Sequence, residues 1–113
     1  MKNNYDALNE ALDLLLGAIR DDNIWPQNKP NAEALKSTTP FAVDCMPFES
    51  WLVYIFVPKM RAIASAEIPI PAMSIAPAAE MYLPSTATAV LAQIRELDRL
   101  VLSLNETTPR EVH

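Results

Sequence analysis

Few side chains in this 113-residue sequence have the chemistry of a catalytic or binding group. Asp44 and Glu80 are its best-placed carboxylates, and Lys59 directly follows a proline within an apolar segment. Two carboxylates that a fold brings together can divide the general-acid and general-base roles. A neighbouring lysine would attract an anionic ligand. One hypothesis is therefore a small-molecule site near Asp44, Lys59 and Glu80.

Each of these three side chains also has a structural interpretation, which we favour. Asp44 precedes an apolar segment and is predicted to cap its first helical turn, a role worth about 1 kcal/mol. Glu80 is expected to form an ion pair with Lys59 or Arg61, and Lys59 is otherwise expected to be solvated. No residue is therefore assigned as catalytic.

The remaining reactive side chains lack the partners that nucleophilic or metal chemistry requires. Ser37 and Thr38 have no histidine in the body of the chain to activate them, because the single histidine is His113 at the C-terminus. Cys45 is the single cysteine and is predicted to be a small buried residue. We therefore expect neither a metal ion nor a cofactor.

The composition argues against several classes of partner. One glycine is too few for a P-loop or a dinucleotide-binding loop. A formal net charge of −5 argues against a surface that binds nucleic-acid phosphates. The longest apolar run, Trp51 to Val57, has seven residues and ends at Pro58, whereas a bilayer-spanning helix needs about 20. We expect a cytoplasmic protein that binds neither nucleic acid nor membrane directly.

The elements that must position these groups are predicted to be helices. Apolar residues recur at helical spacing over residues 4–22 and 85–104, and an apolar helix over 47–66 lies between them. Pro58 is expected to kink that helix. Short helices are predicted near residues 31–35, where Asn31 would be the cap, and 76–81.

The connecting segments complete a fold prediction. Ile68-Pro69-Ile70-Pro71 is expected to be extended, because alternate prolines disfavour helix. Three long helices, one or two short ones and no pairing strand predict a single all-α domain over residues 1–113. We expect a small four-helix-bundle-like fold with proline-rich loops, ordered over about residues 4–104, and a frayed tail over 105–113.

Large aromatic side chains are the other candidates for a binding role. Trp25 and Phe41 lie on proline-rich loops, where such side chains either cover the core or anchor a partner. Trp51 lies in the central apolar segment, where core packing is the simpler role and lining a pocket is the alternative.

Several short motifs occur in an order that resembles the YqcC-like family of small bacterial proteins. They are STTPFAVDCM at 37–46, WL at 51–52, VPKM at 57–60, IPIP at 68–71 and AP followed by EM within 76–81. The resemblance covers about residues 5–104 and implies an all-α, four-helix-bundle-like fold. Val53 and Lys59 stand where that family commonly has glutamine and arginine, and a lysine offers no flat bidentate group.

The resemblance implies little about activity. The family is labelled by association with tRNA pseudouridine synthase C, but such synthases use a catalytic aspartate on a larger mixed α/β scaffold. A chain of 113 residues is too short to contain that catalytic domain.

Three functions remain open from the sequence. We favour a non-enzymatic interaction module that binds a partner protein or a second copy of itself through Trp25, Phe41 and the turn at Pro58. The second is the small-molecule site near Asp44, Lys59 and Glu80. The third is an accessory role in tRNA modification beside a pseudouridine synthase, in which this acidic chain would contact the enzyme rather than the RNA.

Overall fold

The computed structural model describes residues 4–27, 29–36, 41 and 46–106. Within this part of the chain all regular structure is helical and no strand is formed, so the all-α prediction is confirmed. The elements are α1 (Asn4–Asp21), a 3₁₀ turn (Ala34–Lys36), α2 (Phe48–Trp51), a π-helical segment (Leu52–Phe56), α3 (Val57–Ala66), α4 (Ala76–Tyr82) and α5 (Thr88–Glu106). We refer to residues 48–66, which run without a break from α2 to α3, as the central helix.

The core forms mainly between α1 and α5, which pack extensively against each other. The two helices run antiparallel, because Asp22 at the end of α1 accepts a hydrogen bond from the N–H of Val90 in the first turn of α5. The apolar stripes predicted from spacing are buried, although Leu16 and Leu104 are only partly so. The fully buried members are Leu8, Leu12, Leu15 and Ile19 of α1 and Val90, Ile94, Leu97 and Val101 of α5.

The central helix continues through Pro58 but changes its hydrogen-bond register just before it. The N–H of Val57 donates to the carbonyl of Leu52, five residues earlier, which is the π-helical pattern. In a regular α-helix the Pro58 ring would collide with the carbonyl of Tyr54, and no N–H would be present to bond it. The distortion expected at this proline is therefore a wider turn within one continuous helix.

Several predicted helix ends are also observed. Asn23 follows α1 in the left-handed conformation, with φ of 60°, which is a common backbone conformation for a residue that ends a helix. The Asn31 Oδ1 accepts a hydrogen bond from the N–H of Ala34 at 2.8 Å, so Asn31 caps as predicted, although the turn is 3₁₀ and begins at Ala34. α5 continues to Glu106, inside the tail that was expected to fray, and the rest of that tail lies outside the described residues.

The N-terminal end of the central helix differs from the prediction. α2 begins after Pro47, which occupies the capping position with extended backbone and no side-chain hydrogen bond. Asp44, the predicted cap, lies outside the described residues, as do Ser37, Thr38 and Cys45. The segment 68–75 is not helical, as its prolines predicted, and it leads into α4.

Candidate functional site

An apolar cleft of about 280 Å³ lies between the central helix and the extended segment before α4. We call it the Trp51 cleft. Its lining comprises Phe41, then Trp51, Ile55, Phe56, Lys59 and Met60 of the central helix, and Pro71, Met73, Ser74 and Ile75 opposite. The cleft therefore brings together Phe41, Trp51 and Lys59, which were all predicted as candidate binding residues.

The π-helical segment arranges the floor of this cleft. The rings of Trp51 and Phe56 stack with centroids 5.3 Å apart. In a regular α-helix, residues five apart differ by about 140° around the axis, because each residue advances about 100°. A turn closed by bonds between residues five apart brings them to the same side instead. The π-helical turn before Pro58 therefore allows the rings of Trp51 and Phe56 to stack in the cleft.

Phe41 forms one edge of the cleft in a strained backbone conformation. Its φ is 58°, in the left-handed region that costs a residue with a side chain about 1–2 kcal/mol. Its ring contacts Trp51 edge-on at 5.0 Å and Phe48 at 5.6 Å. Each aromatic pair contributes about 0.5–1.5 kcal/mol beyond area burial, so the two contacts can offset the strain.

The opposite wall is anchored by Asp98 of α5. Its carboxylate accepts hydrogen bonds of 2.8 and 3.0 Å from the N–H of Ile75 and one of 2.8 Å from the N–H of Ala76. These are N–H groups at the start of α4, which have no partner within the helix. Because Ile75 also lines the cleft and is 4% exposed, the same aspartate caps α4 and fixes the cleft wall.

Lys59 is the cation at the cleft, and it is exposed. Its ammonium group makes no hydrogen bond or ion pair with any residue in the described part of the chain. The expected pairing of Glu80 with Lys59 or Arg61 is wrong, because Glu80 bonds Arg95 of α5 at 2.9 Å. Arg61 instead reaches α1 and bonds Asp13.

The hypothesised trio of Asp44, Lys59 and Glu80 is thus not assembled among the described residues. Glu80 lies on α4, is bonded to α5 and does not line the Trp51 cleft. Asp44 lies outside the described residues, and Lys59 alone of the three is placed at the cleft.

Trp25 belongs to a different surface. It lines a second cleft of about 400 Å³ with Pro26, Pro47, Glu49 and other residues near the end of α1. The Arg20 guanidinium lies 4.5 Å from the centre of the indole, close enough for a cation–π contact. Trp25 and Phe41, which were predicted to act on one surface, therefore line separate clefts.

The described lining of the Trp51 cleft presents apolar side chains, the Ser74 hydroxyl and one charged group. These described residues include no carboxylate, thiol or imidazole, and the charged group is a lysine. Over the described residues, no cluster of three or more histidine, cysteine, aspartate or glutamate side chains is placed to hold a metal ion. No helix in the described part of the chain is long and apolar enough to cross a membrane.

Several residues that shape the site were not identified from the sequence. Asp98 was not singled out from the sequence, although α4 begins after Ile75, which has no side-chain oxygen to cap it. That missing local cap was a usable signal that a distant side chain must supply one. Ile55 and Met73 gave no signal, because a partly exposed apolar residue resembles a core residue in sequence.

Comparison with known proteins identifies relatives across most of the chain. The DUF446 family model, described as tRNA pseudouridine synthase C, matches residues 7–100. The uncharacterized protein YqcC of Escherichia coli K12 is 29% identical over 100 residues, which cover 85% of this chain and 92% of YqcC. The solution NMR structure of E. coli YqcC superimposes with a TM-score of 0.78 at 28% identity, covering 88% of this chain and 89% of that chain.

A further relative shares only part of its length with this chain. A Pectobacterium carotovorum protein named tRNA pseudouridine synthase C is 39% identical over 54 residues, 48% of this chain but 14% of that protein. The remaining 86% of that protein therefore has no counterpart in the match. With the family model covering most of the sequence and YqcC matching in both sequence and fold, this chain belongs to the YqcC-like DUF446 family.

Proposed function

We propose that this chain is a non-enzymatic interaction module that receives apolar side chains of a partner protein in the Trp51 cleft. The observation that carries the proposal is a cleft with partly exposed aromatic and aliphatic walls, held in shape by the Asp98 cap and the π-helical segment. Tryptophan is enriched at the positions that dominate binding in protein interfaces, and phenylalanine and methionine are enriched across such interfaces.

The size of the cleft supports a protein partner over an enclosed small molecule. Small-molecule pockets measure about 300–1,000 Å³ and bury most of their ligand. At about 280 Å³ and open to solvent, the Trp51 cleft suits one or two side chains of a partner. The small-molecule hypothesis loses further support because Glu80 is bonded to Arg95.

Affinity purification of the tagged chain, with mass spectrometry of co-eluting proteins, tests this function. Phe41→Ala is the test variant, and Trp25→Ala is the matched control, because both aromatic residues are partly buried and line different clefts. We expect a reproducible partner that is lost with Phe41→Ala and retained with Trp25→Ala. Retention by both folded variants, or no partner for the unmodified chain, would contradict the proposal.

A second candidate function is an accessory role in the cytoplasm beside a tRNA pseudouridine synthase. The Pectobacterium match favours it, because a segment similar to this chain forms part of a much longer protein that carries that name. Segments that share one chain in one bacterium can act together as separate chains in another. The net charge of −5 directs the contact toward the enzyme rather than the tRNA.

Binding to the synthase from the same bacterium tests this second candidate. We expect the two purified proteins to elute together in gel filtration, while the chain alone leaves the mobility of tRNA unchanged. Separate elution of the two proteins across a range of concentrations would contradict the role, and so would a direct shift of tRNA.

A further inference from the structure

We propose that the partner segment in the Trp51 cleft is an extended peptide with a large apolar side chain and an adjacent carboxylate that pairs with Lys59. This inference rests on the proposed interaction function and adds the chemistry of the partner. It follows from three features of the cleft: a cation that has no partner among the described residues, apolar walls that the described part of the fold leaves partly uncovered, and an extended backbone segment.

The cation is the first feature. Among the cations described on α3 and α5, Arg61, Arg95 and Arg99 each bond a carboxylate of this chain. Lys59 has no such partner within the described residues, yet it lines a cleft whose other described side chains are apolar except for Ser74. An exposed ion pair adds little affinity, but a charge at the rim of an interface selects and orients its partner. A carboxylate is the group that complements this lysine.

The apolar surface is the second feature. Ile55 is partly exposed and is not packed against the core, whereas Phe56 and Met60 beside it are buried. Trp51 and Met73 are only partly buried, although both pack against the core. A flexible methionine beside a rigid aromatic ring can adapt to side chains of different shape. A large apolar side chain would cover these groups and remove them from water.

The backbone of the opposite wall is the third feature. Pro69 and Pro71 keep the segment before α4 extended. The backbone N–H and carbonyl groups of residues 72–74 make no hydrogen bonds with other described residues. They are therefore available to the main chain of an extended partner, in the manner of peptide recognition by strand addition. A helical partner would satisfy its own backbone groups and would have none to pair with these.

Titration of the ¹⁵N-labelled full chain with capped dipeptides, followed by NMR, tests the inference. The probes are acetyl-Phe-Asp-amide, its neutral analogue acetyl-Phe-Asn-amide, and acetyl-Ala-Asp-amide, which lacks the large side chain. We expect the first to shift the amide signals of residues 55–60 and 72–75. The neutral analogue should bind about two- to fivefold more weakly, the range that an exposed ion pair contributes, and the alanine peptide should cause no saturable shift.

Variants of two exposed lysines distinguish the effect of the Lys59 charge from the general effect of removing a positive charge from the surface. Lys59→Gln should remove the difference between the aspartate and asparagine peptides, and Lys36→Gln, the matched control, should preserve it. Equal binding of the two peptides by the unmodified chain, or shifts confined to other surfaces, would overturn the inference.

Uridine monophosphate is titrated in parallel, because an aromatic ring beside a lysine can also hold a nucleotide. Tighter binding of this nucleotide than of the peptide would likewise overturn the inference.

The result of the dipeptide titration can be distinguished from the result of the co-purification experiment that tests the proposed function. If a partner protein co-purifies in a Phe41-dependent manner while the dipeptides leave the cleft signals unchanged, the function stands and the partner chemistry is wrong. If neither a protein partner nor a dipeptide binds, both proposals are wrong.

Discussion

Replacing Asp98 should weaken both the fold and the Trp51 cleft. The carboxylate bonds two backbone N–H groups, those of Ile75 and Ala76, and both lose their partner in Asp98→Ala. A hydrogen bond to a charged group contributes about 1.5–3 kcal/mol, and loss of a helix cap costs about 0.5–2 kcal/mol. Because Asp98 is only partly buried, water can replace some of this interaction. We therefore expect a loss of about 2 kcal/mol in the free energy of unfolding, near the top of the capping range.

Two further variants make this magnitude interpretable. Asp98→Asn keeps one acceptor oxygen, so we expect about half of the loss, or about 1 kcal/mol. Glu96→Ala is the matched control, because Glu96 is an exposed carboxylate on the same helix and its ion pair with Arg99 is also exposed. Exposed pairs of this kind contribute about 0.3–0.5 kcal/mol in a helix.

Urea and thermal unfolding followed by circular dichroism measure these differences. A loss of about 2 kcal/mol corresponds to a decrease in Tm of about 10 °C for a chain of this size. Binding of a cleft ligand at a temperature where the variant is still folded should weaken too, because Ile75 is released from its anchor. If Asp98→Ala is no more destabilising than Glu96→Ala, the capping argument is refuted.

Two other substitutions follow from the same structure. Asp22→Ala removes the acceptor for the Val90 N–H at the start of α5 and should lower the free energy of unfolding by about 1 kcal/mol, measured by urea unfolding; an unchanged midpoint would contradict this. Pro58→Ala restores an N–H that can bond the Tyr54 carbonyl, so we expect the π-helical turn to become α-helical and the Trp51 cleft to lose its stacked floor. Amide hydrogen exchange and backbone chemical shifts of residues 52–58 report this change, and a retained π-helical pattern would show that Pro58 is not its cause.

The helices were predictable because their evidence is local. Leu8, Leu12 and Ile19 recur on one face of α1, and the same periodicity identifies α5. The alternate prolines of residues 68–71 likewise determine their own backbone. A pattern within a few turns of chain is sufficient for each of these predictions.

The cleft was predictable only in part, because it depends on contacts between distant residues. Phe41, Trp51 and Lys59 were recognised as candidates from their type, but sequence spacing could not separate Trp25 from Phe41. The pairing of Glu80 with Arg95 depends on how α4 lies against α5, which no local pattern specifies.

The π-helical segment illustrates a different reason for incomplete prediction. Pro58 signals that the α-helix is disturbed, but a kink, a break and a widened turn all relieve the same steric clash. Packing of Leu52 and Phe56 in the core favours the continuous form, since both side chains are buried in it. That choice brings Trp51 over Phe56, which the sequence alone could not indicate.

The most direct test of the Trp51 cleft as the interaction surface uses the full chain with a new charge inside or outside the cleft. The measurement is partner binding by these variants. Ile55→Asp places a carboxylate in the Trp51 cleft, and Leu102→Asp is the control, because Leu102 is an exposed apolar residue of α5, 58% accessible, that does not line the cleft. Circular dichroism first establishes that both variants are folded. We predict that a partner recovered with the unmodified chain is retained by Leu102→Asp and lost by Ile55→Asp. Equal retention by the two variants would contradict the assignment of this cleft as the interaction surface.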